Sequence, residues 1–299
     1  MPRAWPLKRM NIKPSDLVLE IGSGNNPNPR SDILCDRFIH TSHDRAGEFS
    51  IHIDRPMVVA DGMRLPFLDQ TFDYVIASHI FEHMEDPARF AREIERVGKA
   101  GYIEVPSAIS ERVFGWNFHH WYCEMVDGVL TFIPKKEGEQ HGGYFHRLIA
   151  RNIWFRRFFE QHEHMWYTRL EWHGKIPILV ERNPMSPADK GKLDAVAWDL
   201  LHQAKKEEII DAVFAIRFLV RRIIRKIRKI IRKFGWLMAT ITMDKNIISS
   251  LAQLCVCPQC HGNVGRKEKK WTCIKCKAVY TIDGLIPVLL LPEERKRGF

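Results

Sequence analysis

Four cysteines near the C-terminus fall in two pairs, Cys257-Pro258-Gln259-Cys260 and Cys273-Ile274-Lys275-Cys276, with 12 residues between the pairs. Two such knuckles can set four thiolates tetrahedrally about one ion, and zinc favours that ligand set. Four thiolates leave no position open for water, so a zinc held here is structural and not catalytic. Cys255 lies just outside the first pair and is not expected among the ligands. Five of the seven cysteines fall between Cys255 and Cys276, which suits a metal site in a reducing compartment better than a disulfide framework.

A second group is Ser78-His79-Ile80-Phe81-Glu82-His83. Two imidazoles and a carboxylate this close can take and pass a proton, so His79, His83 and Glu82 are candidates for acid–base work. The plainer reading has Glu82 capping a helix and His83 packing in the interior. Downstream, Trp116-Asn117-Phe118-His119-His120-Trp121-Tyr122 offers aromatic faces with two histidines. His119, His120 and Trp121 suit contact with a sugar or a base face, and equally an ordinary loop core.

These groups need elements to hold them. The apolar run 17–21 (Leu-Val-Leu-Glu-Ile) ends in Gly22-Ser23-Gly24, a strand followed by a turn that lets a ligand lie against backbone. Ile33-Leu34-Cys35 ends in Asp36, and a carboxylate at the tip of a second strand can accept both ribose hydroxyls of a nucleoside. Val58-Val59-Ala60 ends in Asp61-Gly62. Residues 72–78 read as a fourth strand, Pro87 to Val97 as a helix, and 102–105 as a fifth strand stopped by Pro106. Met165–Trp172 and Ile176–Glu181 flank His173-Gly174-Lys175 and read as a β-hairpin. A dinucleotide site is a poor match. It needs a third glycine and a helix N-terminus, whereas this turn continues Asn25-Asn26-Pro27-Asn28-Pro29.

The turn, the two strand-tip acids and the phrase Asp61-Gly62-Met63-Arg64-Leu65-Pro66-Phe67…Phe72-Asp73-Tyr74-Val75 come in an order that resembles the class I S-adenosylmethionine-dependent methyltransferases. The resemblance is close over about residues 15–106 and architectural over 107–183. It implies an α/β fold, a seven-stranded and mostly parallel Rossmann-like sheet with the 165–181 hairpin supplying strands six and seven. It also implies a cofactor site of Glu20, Gly22, Ser23, Gly24, Asp36, Asp61, Gly62, Met63 and Ser78. Asp36 would hold the ribose and Asp61 the adenine amino group, with Met63 nearby as a backbone donor or ring wall. Only 11 residues separate Ile21 from Ile33, so the usual first helix must shrink to a turn or vanish, leaving a more open pocket. The Glu82-His83 pair is similar to the segment after strand four in ubiquinone-biosynthesis-type O-methyltransferases, where such residues line the site and can hold a divalent ion.

The chain of 299 residues is 45% hydrophobic and 27% charged, the composition of a globular protein, and its net charge of +10 favours a polyanionic partner. No segment reads as a secretory leader or a spanning helix. Nine arginines and lysines lie between Arg217 and Lys233, with no acid from Ala212 to Met243. At 100° per residue they segregate from Ile216, Leu219, Val220, Ile223, Ile224, Ile227, Ile230, Ile231 and Phe234. Such a helix can pack on a domain, lie on an anionic membrane through 213–238, or bind an RNA backbone. The stretch 250–293 resembles the small zinc-ribbon family that includes the activator subunit of tRNA, rRNA and release-factor methyltransferases. The expected organisation is therefore a methyltransferase domain at 1–185, a helical linker at 186–246 and a small β-rich zinc ribbon at 247–299. The expected activity is O-methylation of a glycan or lipid-linked sugar by a cytoplasmic protein at the inner face of a membrane. RNA methylation with a built-in activator, or a non-catalytic scaffold of the same fold, are the alternatives.

Overall fold

The computed structural model describes residues 10–24, 26–40, 53–136, 144–206, 220, 251–267 and 270–296. Five strands come first: β1 (Val18–Ile21), β2 (Ile33–Asp36), β3 (Met57–Val59), β4 (Phe72–Ser78) and β5 (Gly98–Pro106). They are apolar runs of the kind that sheets covered on both faces require, and β1, β2 and β3 are buried at every position. They pair in parallel in the order β3-β2-β1-β4-β5, so their C-terminal ends share one edge. The helix read at 87–97 is α1 (Pro87–Val97). Asp86 caps it by accepting the Arg89 amide at 2.8 Å, and Pro87 occupies a first-turn position where a missing N–H is harmless. Phe90, Ala91, Ile94 and Val97 form its buried face. Between β1 and β2 no helix occurs among the described residues, as the short spacing requires.

The chain then builds a cap. Helix α2 (Ala108–Phe114) leads to a hairpin of β6 (Trp121–Val126) and β7 (Val129–Pro134), closed at Asp127-Gly128 with both φ positive. Helices α3 (Tyr144–Arg151), α4 (Ile153–Gln161) and α5 (Glu163–Trp166) share an apolar cluster with α2 built on Phe114, Phe155, Phe158, Phe159 and Trp166.

The expected 165–181 hairpin does not form. Strand β8 (Tyr167–His173) runs antiparallel to β5, but β9 (Ile178–Val180) leaves the sheet and pairs in parallel with β7. Where the chain leaves the sheet edge, Glu95 of α1, 81 residues away in sequence, accepts the Ile176 amide at 2.6 Å. The hairpin β6–β7 then offers β9 an open strand to join. The seven-stranded expectation is thereby corrected to six strands, five parallel and one antiparallel, in the N-terminal part.

Helix α6 (Pro187–Lys206) packs back on α2, with Arg112 paired to Asp194 at 2.7 Å. The basic segment 213–238 lies outside the described residues except for Val220, which is exposed. Among the described residues no helix is long and apolar enough to cross a membrane.

The C-terminal strands β10 (Val264–Lys267), β11 (Lys270–Cys273), β12 (Val279–Asp283) and β13 (Ile286–Val288) form an antiparallel meander, followed by the one-turn helix α7 (Pro292–Arg295). Strand β13 pairs in parallel with β3 through Val288 and Val59, so one sheet runs through ten strands. The seam also holds Leu289 N–H donating to Val59 O at 2.8 Å, Val256 N–H to Pro66 O at 2.9 Å and Leu68 N–H to Leu254 O at 3.0 Å. Arg64 meets Glu294 across it at 3.2 Å. Trp271, Tyr280 and Leu289 belong to the same apolar cluster as Leu19, Val58 and Phe67.

Candidate active site

The tips of β1, β2 and β3 form the first half of the site. Glu20 is 1% exposed, and its Oε2 accepts the Asn28 amide and the Ser31 hydroxyl, both at 2.7 Å. Its carboxylate therefore ties the β1–β2 loop back beneath the strand tips. Gly24 has φ +57, and a Cβ there would find nothing within 4 Å, so the backbone faces open space. Ser23 Oγ is buried with no hydrogen-bond partner among the described residues. Asp36 closes β2 and accepts the Phe38 amide on Oδ1 at 3.1 Å. Asp61 accepts the Met63 amide at 2.9 Å and Arg37 at 2.8 Å. The Met63 N–H is thus committed to Asp61, which leaves its side chain, not its amide, to wall a ring. Open space at Gly24, an orphaned hydroxyl at Ser23 and two acids at adjacent strand tips together fit a nucleoside with a polar tail.

The second half hangs from β4. Ser78 is buried and donates to Glu104 at 3.4 Å. His79 follows with φ +55, a left-handed conformation that a non-glycine residue adopts at a cost of about 1–3 kcal/mol. That twist turns its ring between two buried carboxylates, with Nδ1 3.3 Å from Glu82 Oε1 and Nε2 3.4 Å from Glu104 Oε1. Glu82 and His83 lie in a 3-10 turn, Phe81–His83, so Glu82 caps no helix. Burial pushes the Glu82 carboxyl up, but His79, His83 and His119 outweigh it and hold it at about 2. Burial likewise raises Glu104, and His79 and Arg169 bring it well below the ordinary carboxylate range. Both ring nitrogens of His79 thus face buried carboxylates.

The cap supplies the wall. His119 is 5% exposed at its side chain, stacked on Trp116 with centroids 4.8 Å apart, and its Nδ1 lies 2.6 Å from Glu111 Oε2. Lys135 pairs with the other oxygen of Glu111. Phe118 stacks on His83 at 5.4 Å. His120 points outward while its amide donates to Glu82 O at 2.9 Å, and Trp121 Nε1 donates to Met84 O at 2.7 Å. So His119 joins the Glu82 group, whereas His120 and Trp121 fix the loop above it. Ligand atoms of Glu82, His83 and His119 lie within 4.8 Å of one another. Glu104, Glu111, Lys135 and Arg169 are site residues that the sequence reading did not name.

Away from this edge, Cys257, Cys260, Cys273 and Cys276 bring their Sγ atoms within 4.8 Å of one another. Cys257 and Cys276 approach to 3.6 Å and Cys260 and Cys273 to 3.5 Å, near the sulfur spacing of about 3.8 Å implied by four 2.3 Å bonds in a tetrahedron. Cys255 is buried and instead bridges to Phe67 across the seam.

Residues 34–103 match the family model described as a methyltransferase domain. A demethylmenaquinone methyltransferase of Corynebacterium urealyticum is 33% identical over 101 residues, 31% of this chain and 42% of that enzyme. An ajmaline N-methyltransferase of Rauvolfia serpentina is 30% identical over 94 residues, 25% of this chain and 32% of that enzyme. The chain thus spans less than half the length of these curated relatives. Among solved structures, a chain from the complex of the Haloferax volcanii Trm112 methyltransferase activator with a methyltransferase is 25% identical, covering 33% of this chain and 49% of that one. Its TM-score of 0.26 is too low to bear on the fold. Residues 34–103, on the parallel, acid-tipped sheet, are thus similar to a methyltransferase domain.

Proposed function

We propose that this protein transfers the methyl group of S-adenosylmethionine to a hydroxyl of a glycan or lipid-linked sugar at a membrane face. The observation that carries the reading is His79, set between Glu82 and Glu104 at the strand edge beside the glycine turn. Sulfonium transfer needs chiefly an in-line acceptor, and a hydroxyl acceptor also needs a base. His79 is the base, Glu82 and Glu104 orient it, and the acceptor lies under the cap. Asp36 holds the ribose, Asp61 shapes the adenine end through the Met63 turn, and the Gly22–Gly24 loop takes the methionine tail. The four cysteines hold one structural zinc, and the basic segment 213–238 brings the chain to anionic lipid.

The test is to incubate purified protein with methyl-labelled cofactor and separated glycan, lipid and RNA fractions. Label is expected in a sugar of the glycan or lipid fraction, and His79→Ala is expected to abolish it. Label confined to RNA would replace the acceptor. Absence of calorimetric cofactor binding would leave a non-catalytic scaffold.

A further inference from the structure

We infer that a cavity at the seam between α1, the turn 62–64 and the first cysteine knuckle binds the phosphate or diphosphate group of a small organic phosphate. The cavity measures about 390 Å3, within the range of small-molecule pockets. Arg64 lines it from the 3-10 turn Gly62–Arg64, and Arg89 and Arg92 line it from α1. Gln259 and His261 line it from the knuckle that carries Cys257 and Cys260. Met63 and Pro258 supply the apolar part of the wall.

The protein does not balance the positive charge of this cavity. Glu93 is its one lining acid, and Glu93 is already engaged. Arg96 holds its two oxygens at 3.0 and 2.9 Å, and Oε2 also accepts the Leu65 amide at 2.8 Å. Glu93 stands four residues after Arg89, the usual spacing of a helical ion pair, yet it turns to Arg96 instead. Arg64 is shared with Glu294 at 3.2 Å and Glu293 at 3.8 Å. Arg89 gives its Nε to the Met63 carbonyl at 3.2 Å and meets no carboxylate among the described residues. The side chain of Arg92 is exposed and makes no hydrogen bond or ion pair among them.

Both arginines stand where a helix disfavours them. Arg89 lies in the first turn of α1, which holds no acid, and the helix dipole there favours negative charge. Asp86 caps that turn through the Arg89 amide and pairs with neither guanidinium. Arg92 is three residues further on, so two like charges share one helix face. An anion in the cavity offsets both effects. Guanidinium forks match phosphate oxygens two at a time, and a phosphate group carries about −1.5 to −2 charges. It therefore suits two unpaired guanidiniums better than a single carboxylate does. The sugar or ring attached to that phosphate lies against Met63 and Pro258. One wall of the cavity belongs to the parallel sheet's turn and helix and the other to the knuckle, so the ligand ties the cysteine meander to the sheet.

The experiment is isothermal titration calorimetry of the full-length protein with uridine diphosphate at fixed ionic strength. An adenine nucleotide is avoided because the strand-tip site could take it. One site per chain is expected. Arg92→Gln, which breaks no contact within the protein, is expected to weaken binding by about 10–100-fold, and Arg89→Gln with Arg92→Gln to remove it. Thermal midpoints without ligand report whether each variant is folded. Uridine diphosphate at about 100 times its Kd should raise the wild-type midpoint by about 5–10 °C and leave the double variant unmoved. A lipid headgroup is the other source of the same group, so phosphatidylcholine vesicles containing phosphatidic acid are compared with vesicles of equal charge containing phosphatidylserine. Sedimentation that the double variant loses only with phosphatidic acid assigns the site to a lipid phosphate. Uridine diphosphate binding without that loss assigns it to a free one. No uridine diphosphate binding, together with no loss specific to phosphatidic acid, would overturn the inference. So would uridine diphosphate binding that both arginine substitutions leave unchanged.

Discussion

Replacing Leu289 with alanine tests whether the C-terminal strands and the parallel sheet melt as one body. Leu289 is 1% exposed, lies just past β13 and shares an apolar cluster with Leu19, Val58 and Phe67. Its amide still reaches the Val59 carbonyl in the variant, so only side-chain packing is lost. Truncating a buried leucine costs about 2–5 kcal/mol, and the spread reflects how far the cavity collapses. Here the flanking Leu290 and Leu291 are themselves buried, while Arg64 and Glu294 pin the following turn, so collapse is partial and about 3 kcal/mol is expected. In a body of this size each kcal/mol moves the thermal midpoint by about 2–4 °C, a shift of about 6–12 °C. Scanning calorimetry on the full chain should show a single transition displaced by that amount. Two transitions, with the upper one unmoved by the substitution, would show that the shared cluster does not couple the two parts.

Asp36→Ala should weaken cofactor binding measured by calorimetry, because each charge-assisted bond to a ribose hydroxyl is worth about 1.5–3 kcal/mol; unchanged affinity would remove Asp36 from the site. Gly62→Ala should destabilise by about 1–3 kcal/mol. Its new Cβ would sit 2.8 Å from Phe90 Cε2, and Phe90→Leu in the same chain should recover most of the loss in a urea titration. Glu104 is held below its ordinary value by His79 and Arg169 despite burial, so the unfolded chain takes up its proton first on acidification. Stability should therefore fall as pH drops below about 4.5, and a Glu104→Gln variant should lose part of that dependence in urea midpoints taken across the range. Changing Ile223, Ile227 and Ile230 to serine should abolish sedimentation with anionic liposomes; wild-type protein that stays in the supernatant would count against membrane attachment.

The parts of the fold legible in the sequence are those set by neighbours along the chain. Helix α1 is announced by Asp86-Pro87 and its apolar spacing, β4 by the apolar run Tyr74-Val75-Ile76-Ala77, and the missing first helix by the short interval from Ile21 to Ile33. The fate of 165–181 depends on Glu95, far away in sequence, and on an edge strand that exists only once β6–β7 has formed. That hairpin did carry a local signal, Asp127-Gly128 between apolar residues. At the site, His79, Glu82 and His83 are adjacent and could be read together. Glu104 was visible as an acid inside the buried run Ile103-Glu104-Val105, a pattern that requires partners. Tyr102 sits two residues away on the same strand, but the partner Arg169 could not be assigned without the pairing of β5 with β8. Glu111 and Lys135 converge on His119 only through the cap's tertiary packing.

The seam between β3 and β13 also has a consequence during synthesis. Val288 follows its partner Val59 by 229 residues, so at about 5–20 residues per second the β3 edge waits tens of seconds for its mate. An unpaired strand edge of that kind invites pairing with other chains. The meander that finally covers it is built around the four cysteines, so under the zinc assignment the supply of metal to the nascent chain sets when the edge closes. Zinc-starved cells should then accumulate this protein in aggregates through β3, rather than as soluble chains lacking only their ribbon.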